Sequence, residues 1–334
     1  MQRIIISSQE FEVIDIIEKI TIADSFVVKQ NKIGSGNGEK KLYVGQDNDY
    51  IRNFFGSSPF SSNCFLLKAD LLKYLHDTKQ EYLSPEQPYI FAENLPVYWH
   101  QRFKYVNEQP SEVLEFSIHE QYQIAGPRVY VNSNDANYNL LRILSIPNIS
   151  YISVLKLRRT YDGVTVFYFR LFADYFGETE HPVTLINEES IIKDEILDPQ
   201  EAFQVRQSRK GHGRYREELL SSCPFCPITM ISDDRLLIAS HIKPWVDSNQ
   251  FEKTDPNNGF MLSPTFDKLF DRGFITFTDD KRVILSPFLS KMTYSKIGFI
   301  SDNKIFPLLP TEGREYYLDY HRNNIFKAVG SNLI

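Results

Sequence analysis

Short apolar runs separated by polar turns dominate residues 1–60. Within them, FVVKQNKIGSGNGEKKLYVG holds an apolar run, a Gly-rich tip and a second run, a pattern that predicts a β-hairpin. No helical pattern follows GSGNG, so the tip is expected to be a flexible turn and not a phosphate cradle. Residues 63–82, NCFLLKADLLKYLHDTKQEY, place apolar side chains at helical spacing and predict an amphipathic helix, with Asp70, Lys73 and His76 on its solvated side. Residues 85–125 are rich in proline and aromatics and then alternate in VLEFSIHEQYQI, which predicts a loop followed by a strand. The clearest hairpin lies at 151–175, where Asp162-Gly163 separates two alternating runs.

From about Gly177 the texture becomes acidic and polar in ETEHPVTLINEESIIKDEILDPQEAF, a linker leading into a C-terminal module. The expected organisation is therefore α+β in two domains: residues 1–190, mostly β with at least one helix, and residues 191–334. Neither internal repeats nor low-complexity tracts are present.

A chain of 334 residues can bury a core in each of two domains, and 42% hydrophobic with 24% charged residues is the composition of a soluble globular protein. No apolar run approaches membrane length, and MQRIIISSQEFEVIDII lacks the basic start and small-residue cleavage site of a secretory leader, so a cytoplasmic protein is expected. Three cysteines, with Cys223 and Cys226 in a CxxC, make no disulfide framework. A net charge of −6 excludes a globally basic nucleic-acid coat but leaves room for local basic surfaces. One candidate is the run from Arg206 through Arg209, Lys210, Arg214 and Arg216, which meets no acid until Glu217 and suits phosphate contact; His212 within it is read as a DNA-side or structural histidine. A second is Trp99, His100, Arg102 and Lys104, which would either stack on bases and grip phosphates or form an aromatic core rim. On the 151–175 hairpin, Lys156, Arg158 and Arg170 would line one face, either entering a DNA major groove as a two-stranded ribbon or simply facing solvent.

The chemistry concentrates in residues 223–277. His241 closes an apolar run, a polar loop follows, Asn258-Gly259 opens a second apolar run, and Asp267 and Asp271 come next. Residues four apart share one helical face, so the two aspartates can offer carboxylates to one hard cation.

This order of strand, histidine, loop, asparagine, strand and helix resembles the HNH endonucleases and their ββα-metal fold. The blocks RKGHGRYREELL, ASHIKPW, NGFMLSP, LFDRG and YYLDYHRNNIF resemble a bacterial subgroup tied to restriction, over residues 205–328. The resemblance implies that His241 is the general base activating water and that Asn258 pins the loop carrying it. Asp267, nine positions beyond Asn258, would stand for the last metal-binding histidine, and Asp271 for an additional ligand. It also implies Mg²⁺ or Mn²⁺ as cofactor, double-stranded DNA as substrate, and Lys243 or Arg272 as nearby positive charge. Two departures matter. Ser240 occupies the position where many relatives carry Asp or His as a ligand, and Ser263 and Phe266 stand where others place a second cysteine pair. With too few thiols for a tetrahedral site, no structural zinc is expected.

The function class expected is thus a metal-dependent endonuclease, either restriction-type, with the N-terminal half reading a sequence or modified base, or an anti-phage effector whose N-terminal half senses a signal or partner. A restriction enzyme would be accompanied by a methyltransferase encoded nearby. One active site cuts one strand, so a homodimer is expected for a double-strand break.

Overall fold

The computed structural model describes residues 2–122, 126–173, 214–299 and 302–330. The chain forms two compact units. One comprises residues 1–175 with the short returning segments 287–293 and 328–334, and the other residues 176–286 and 294–327.

The first unit is built on an eight-stranded sheet. Its strands are β1 (Arg3–Ile6), β2 (Gln9–Thr21), β3 (Leu42–Gln46), β4 (Ser61–Leu67), β5 (Val113–Gln121), β6 (Arg128–Asn132), β7 (Ser150–Arg159) and β8 (Thr165–Ala173), in the order β1-β2-β7-β8-β4-β5-β6-β3. All neighbours are antiparallel except β4 and β8. Five helices supply apolar side chains to one core with this sheet: α1 (Asp49–Phe55), α2 (Lys68–Asp77), α3 (Lys79–Leu83), α4 (Leu95–Asn107) and α5 (Ala136–Leu144). Strand alternation puts Cys64, Leu66, Phe116, Ile118, Val154, Phe167 and Phe169 on the face those helices cover.

Several local expectations give way to tertiary context. Residues 26–46 are not a hairpin: Phe26 and Val27 are buried in the core, the Asn31 amide donates to the carbonyls of Ile143 and Ser145, and β3 pairs with the distant β6. Residues 61–67 are strand and the helix starts only at Lys68, because β4 is flanked by β5 and β8. Asp70 is not solvated; it is buried against Arg170 at 3.1 Å and accepts from the Tyr168 hydroxyl. The stretch containing Trp99 to Lys104 is helix α4 and not loop, with Trp99 buried and donating to the Leu75 carbonyl.

The 151–175 hairpin does form, with Gly163 at φ 72° in its turn, a value that favours glycine. It is not a free ribbon, however, since β2 and β4 occupy its outer edges. Lys156 donates to the Asn53 carbonyl, Arg158 pairs with Glu12, and Arg170 pairs with Asp70, so these cations are engaged within the sheet unit.

The second unit carries helix α6 (214–222), strands β9 (Ile238–His241) and β10 (Gly259–Leu262), helix α7 (Pro264–Asp271), the hairpin of β11 (Ile275–Phe277) and β12 (Val283–Leu285), and helix α8 (Glu315–Tyr320). β9 and β10 pair antiparallel, with His241 opposite Gly259 and Ser240 opposite Phe260. Helix α7 packs against β9. Phe260, Phe270 and Phe277 form the aromatic centre beneath it.

Candidate active site

His241 sits at the end of β9, and its ring is almost wholly buried. Tyr215 of α6 stacks on it at 4.2 Å with an interplanar angle of 11°, and Trp245 meets it edge-on at 5.5 Å. Its Nε2 lies 3.1 Å from the Lys253 carbonyl. A carbonyl oxygen only accepts, so this bond places a proton on Nε2 and, in the neutral ring, the lone pair on Nδ1.

The loop between β9 and β10 closes around Asn258, which is fully buried. Its Oδ1 accepts from the Lys243 amide at 2.8 Å, while Nδ2 lies within 3.2 Å of the Lys243 carbonyl and the Ser248 hydroxyl and 3.0 Å from the Glu252 carbonyl. The asparagine thus satisfies backbone groups of Lys243 and Glu252 within the loop that joins the two strands. The loop also contains Lys253, whose carbonyl orients the histidine.

Gly259 is required here for space and not for its dihedral angles, which are extended at φ −166°. A Cβ at this position would stand 1.9 Å from the Tyr215 hydroxyl, which donates to the Asn258 carbonyl at 2.8 Å. Arg314, buried after β12, donates to the carbonyls of Gly259 and Pro256. Tyr317 donates to Asp255 at 2.7 Å, and Tyr316 to Glu252 at 3.2 Å. Tyr215 and the α8 tyrosines carry no motif of their own and were signalled only as parts of the blocks RYREELL and YYLDYHRNN, while Glu252 and Arg314 lie outside every block and had no signal in the sequence.

Asp267 and Asp271 lie on α7, the former buried and the latter partly so. Burial of the Asp271 carboxyl, reinforced by the negative charge of Asp267, raises its pKa well above the usual carboxylate range. Two mutually repelling carboxylates fit part of the shell of a hard divalent cation, which would relieve both. Among the described residues no group of three or more His, Cys, Asp or Glu is arranged to hold a metal, so two carboxylates are what this helix offers. Ser240 is fully buried opposite Phe260, and its hydroxyl has no hydrogen-bond partner among the described residues. Cys223 and Cys226 are buried free thiols; burial pushes the Cys223 pKa up.

The cations fall into distinct settings. Lys243 is buried, with its ammonium 2.7 Å from Glu252 and over the rings of Tyr316 and Tyr320, so it braces the loop from inside. Arg216 donates to the carbonyls of Leu237 and Asp234. Arg214 is exposed and pairs with Glu218 at 2.8 Å, and Arg272 is half-buried at the end of α7. Arg206, Arg209, Lys210 and His212 lie outside the described residues.

Among the described residues no helix is long and apolar enough to cross a membrane. No curated protein matches the chain. Residues 226–278, which contain the β9–loop–β10–α7 arrangement, match the HNH endonuclease family, and that domain supports nuclease, hence hydrolase, activity in general.

Proposed function

We propose that this chain is a metal-dependent DNA endonuclease in which His241 is the general base. What supports this reading is the likeness of residues 226–278 to HNH endonucleases together with the placement of His241 at the end of β9, where its Nε2 is held 3.1 Å from the Lys253 carbonyl. Tyr215 fixes the ring plane by stacking, and Asn258 fixes the loop that supplies the carbonyl. Asp267 and Asp271 would hold a divalent cation, Mg²⁺ or Mn²⁺. When bound, such an ion supplies polarisation of the scissile phosphate and stabilisation of the leaving 3′-oxygen. Arg214 and Arg272, with Arg209 and Lys210, are the residues assigned to phosphate contact.

The biological role that best fits is restriction-type cleavage of double-stranded DNA by a homodimer, with residues 1 to about 190 reading sequence or a modified base and a methyltransferase encoded nearby. A second reading, an effector whose first unit senses a signal and whose nuclease cuts indiscriminately, draws support from the internal engagement of Lys156, Arg158 and Arg170. Full-length protein incubated with Mg²⁺ and methylated or unmethylated phage or plasmid DNA, followed by sequencing of the ends, tests both. Discrete ends that change with methylation support restriction, and scattered ends support the effector. His241→Ala should lower the cleavage rate by roughly 10²–10⁴ while DNA binding persists. Wild-type cutting by that variant would remove His241 as the base.

A further inference from the structure

The aromatic and basic stretch around residue 100 has a use that the nuclease site does not absorb. Tyr98, Gln101, Arg102 and Tyr105 lie at i, i+3, i+4 and i+7 on α4 and line one stripe of a cavity of about 490 Å³, closed on the other side by Asn139, Leu140, Ile143 and Leu144 around α5. Arg102 is only 7% exposed; its guanidinium bonds the Tyr82 hydroxyl and lies over the rings of Tyr82 and Tyr98. Behind the cavity, Arg142 is 8% exposed and bonds the Phe26 carbonyl and Asn139 Oδ1. Among the described residues neither arginine has a carboxylate partner. A buried cation without a counter-ion is costly, and an anion arriving beside Arg102, the arginine that lines the cavity, is favoured accordingly.

The rest of the lining is uncharged and mixed, with Val28, Leu140, Ile143 and Leu144 apolar and Gln30, Tyr98, Gln101, Tyr105 and Asn139 carrying hydrogen-bonding groups. The side chains of Gln30, Gln101, Tyr98 and Tyr105 make no hydrogen bond within the described protein, and Asn139 Nδ2 is likewise left as a donor. Phenol rings offer stacking area, amides match the donor and acceptor edges of a heterocycle, and a buried guanidinium matches a phosphate. We propose that the cavity between α4 and α5 binds a nucleoside phosphate, its base against Tyr98 and Tyr105 and its phosphate towards Arg102. The site belongs wholly to the first unit and stands independently of the nuclease reading.

The test is calorimetric titration of full-length protein with adenosine, guanosine, cytidine and uridine 5′-monophosphates, with the matching nucleosides and with inorganic phosphate. At least one monophosphate should bind, its nucleoside about tenfold more weakly, and inorganic phosphate more weakly still. Tyr105→Ala and Gln101→Ala alter exposed side chains and should leave the fold intact, while weakening binding about tenfold through lost stacking and edge contacts. Arg102→Met should abolish the preference for monophosphate over nucleoside; if that variant does not fold, the two rim variants still decide. Absence of monophosphate binding at about millimolar concentration overturns the proposal, as does unchanged affinity in both rim variants or equal affinity for nucleoside and monophosphate. A short oligodeoxynucleotide that displaces the bound monophosphate assigns the nucleotide to a DNA strand, and failure to displace it assigns a free nucleotide; both outcomes support the site.

Discussion

Gly259→Ala probes the support beneath His241 without touching the histidine. The new Cβ would stand 1.9 Å from the Tyr215 hydroxyl, 2.9 Å from Cζ and 3.0 Å from Leu219 Cδ1, where real Cβ contacts stay above 3.0 Å. The tyrosine must therefore withdraw by about 1.1 Å, which disturbs both its stack on His241 and its hydrogen bond to the Asn258 carbonyl. Overpacking a filled interior costs roughly 1–3 kcal/mol and the lost hydrogen bond about 1 kcal/mol, giving about 2–4 kcal/mol in all. Hydrogen exchange of peptides spanning residues 238–262 reads this directly: amide exchange of β9 and β10 should accelerate roughly 30- to 1,000-fold. Cleavage should fall in parallel, because the ring loses its fixed plane. Adding Tyr215→Phe removes the nearest clashing atom, so the double variant should lie at least about 1 kcal/mol below the sum of the single effects. Unchanged exchange in Gly259→Ala, or strict additivity of the pair, would refute the close-approach explanation.

Further outcomes follow from the same unit. His321 is buried between Thr276 and the Phe270 carbonyl and stacked on the Phe270 ring; burial lowers its pKa to about 3. The unfolded chain thus binds the proton more readily, so stability is fully present above pH ~6.5 and declines as pH falls towards 3, by on the order of several kcal/mol. His321→Gln should flatten that acid limb in urea titrations, and an unchanged limb would assign the loss elsewhere. Lys243→Met and Glu252→Gln should each loosen the 242–258 loop by about 1–3 kcal/mol, since each breaks one buried pair; if Glu252→Gln is neutral while Lys243→Met alone abolishes cleavage, the lysine serves phosphate and not the loop. Cleavage should require added Mg²⁺ or Mn²⁺ and stop with a chelator while the fold survives, and loss of the fold on chelation would point to a metal at Cys223 and Cys226.

What the sequence determined by itself is local in origin. An apolar run ending in His241, an Asn-Gly opening the next run and aspartates four apart state a hairpin and a helix face in patterns of period 2 and 3.6, and each survives folding because the relevant neighbours are close in the chain. The Asp162-Gly163 turn is legible for the same reason. Tertiary structure alone decided which charges are solvated. Asp70, Arg170 and Lys243 have ordinary surface residues' sequence contexts, yet each is buried because a partner distant in sequence or across a loop compensates it. It also decided that residues 61–67 are a strand, since ladder bonds to β5 and β8 outweigh a helical apolar spacing, and that α4 is a helix despite its aromatic content. Likewise Tyr215 meets His241 only because the chain returns 26 positions later to lay β9 beside α6, a long-range packing event that no local periodicity encodes.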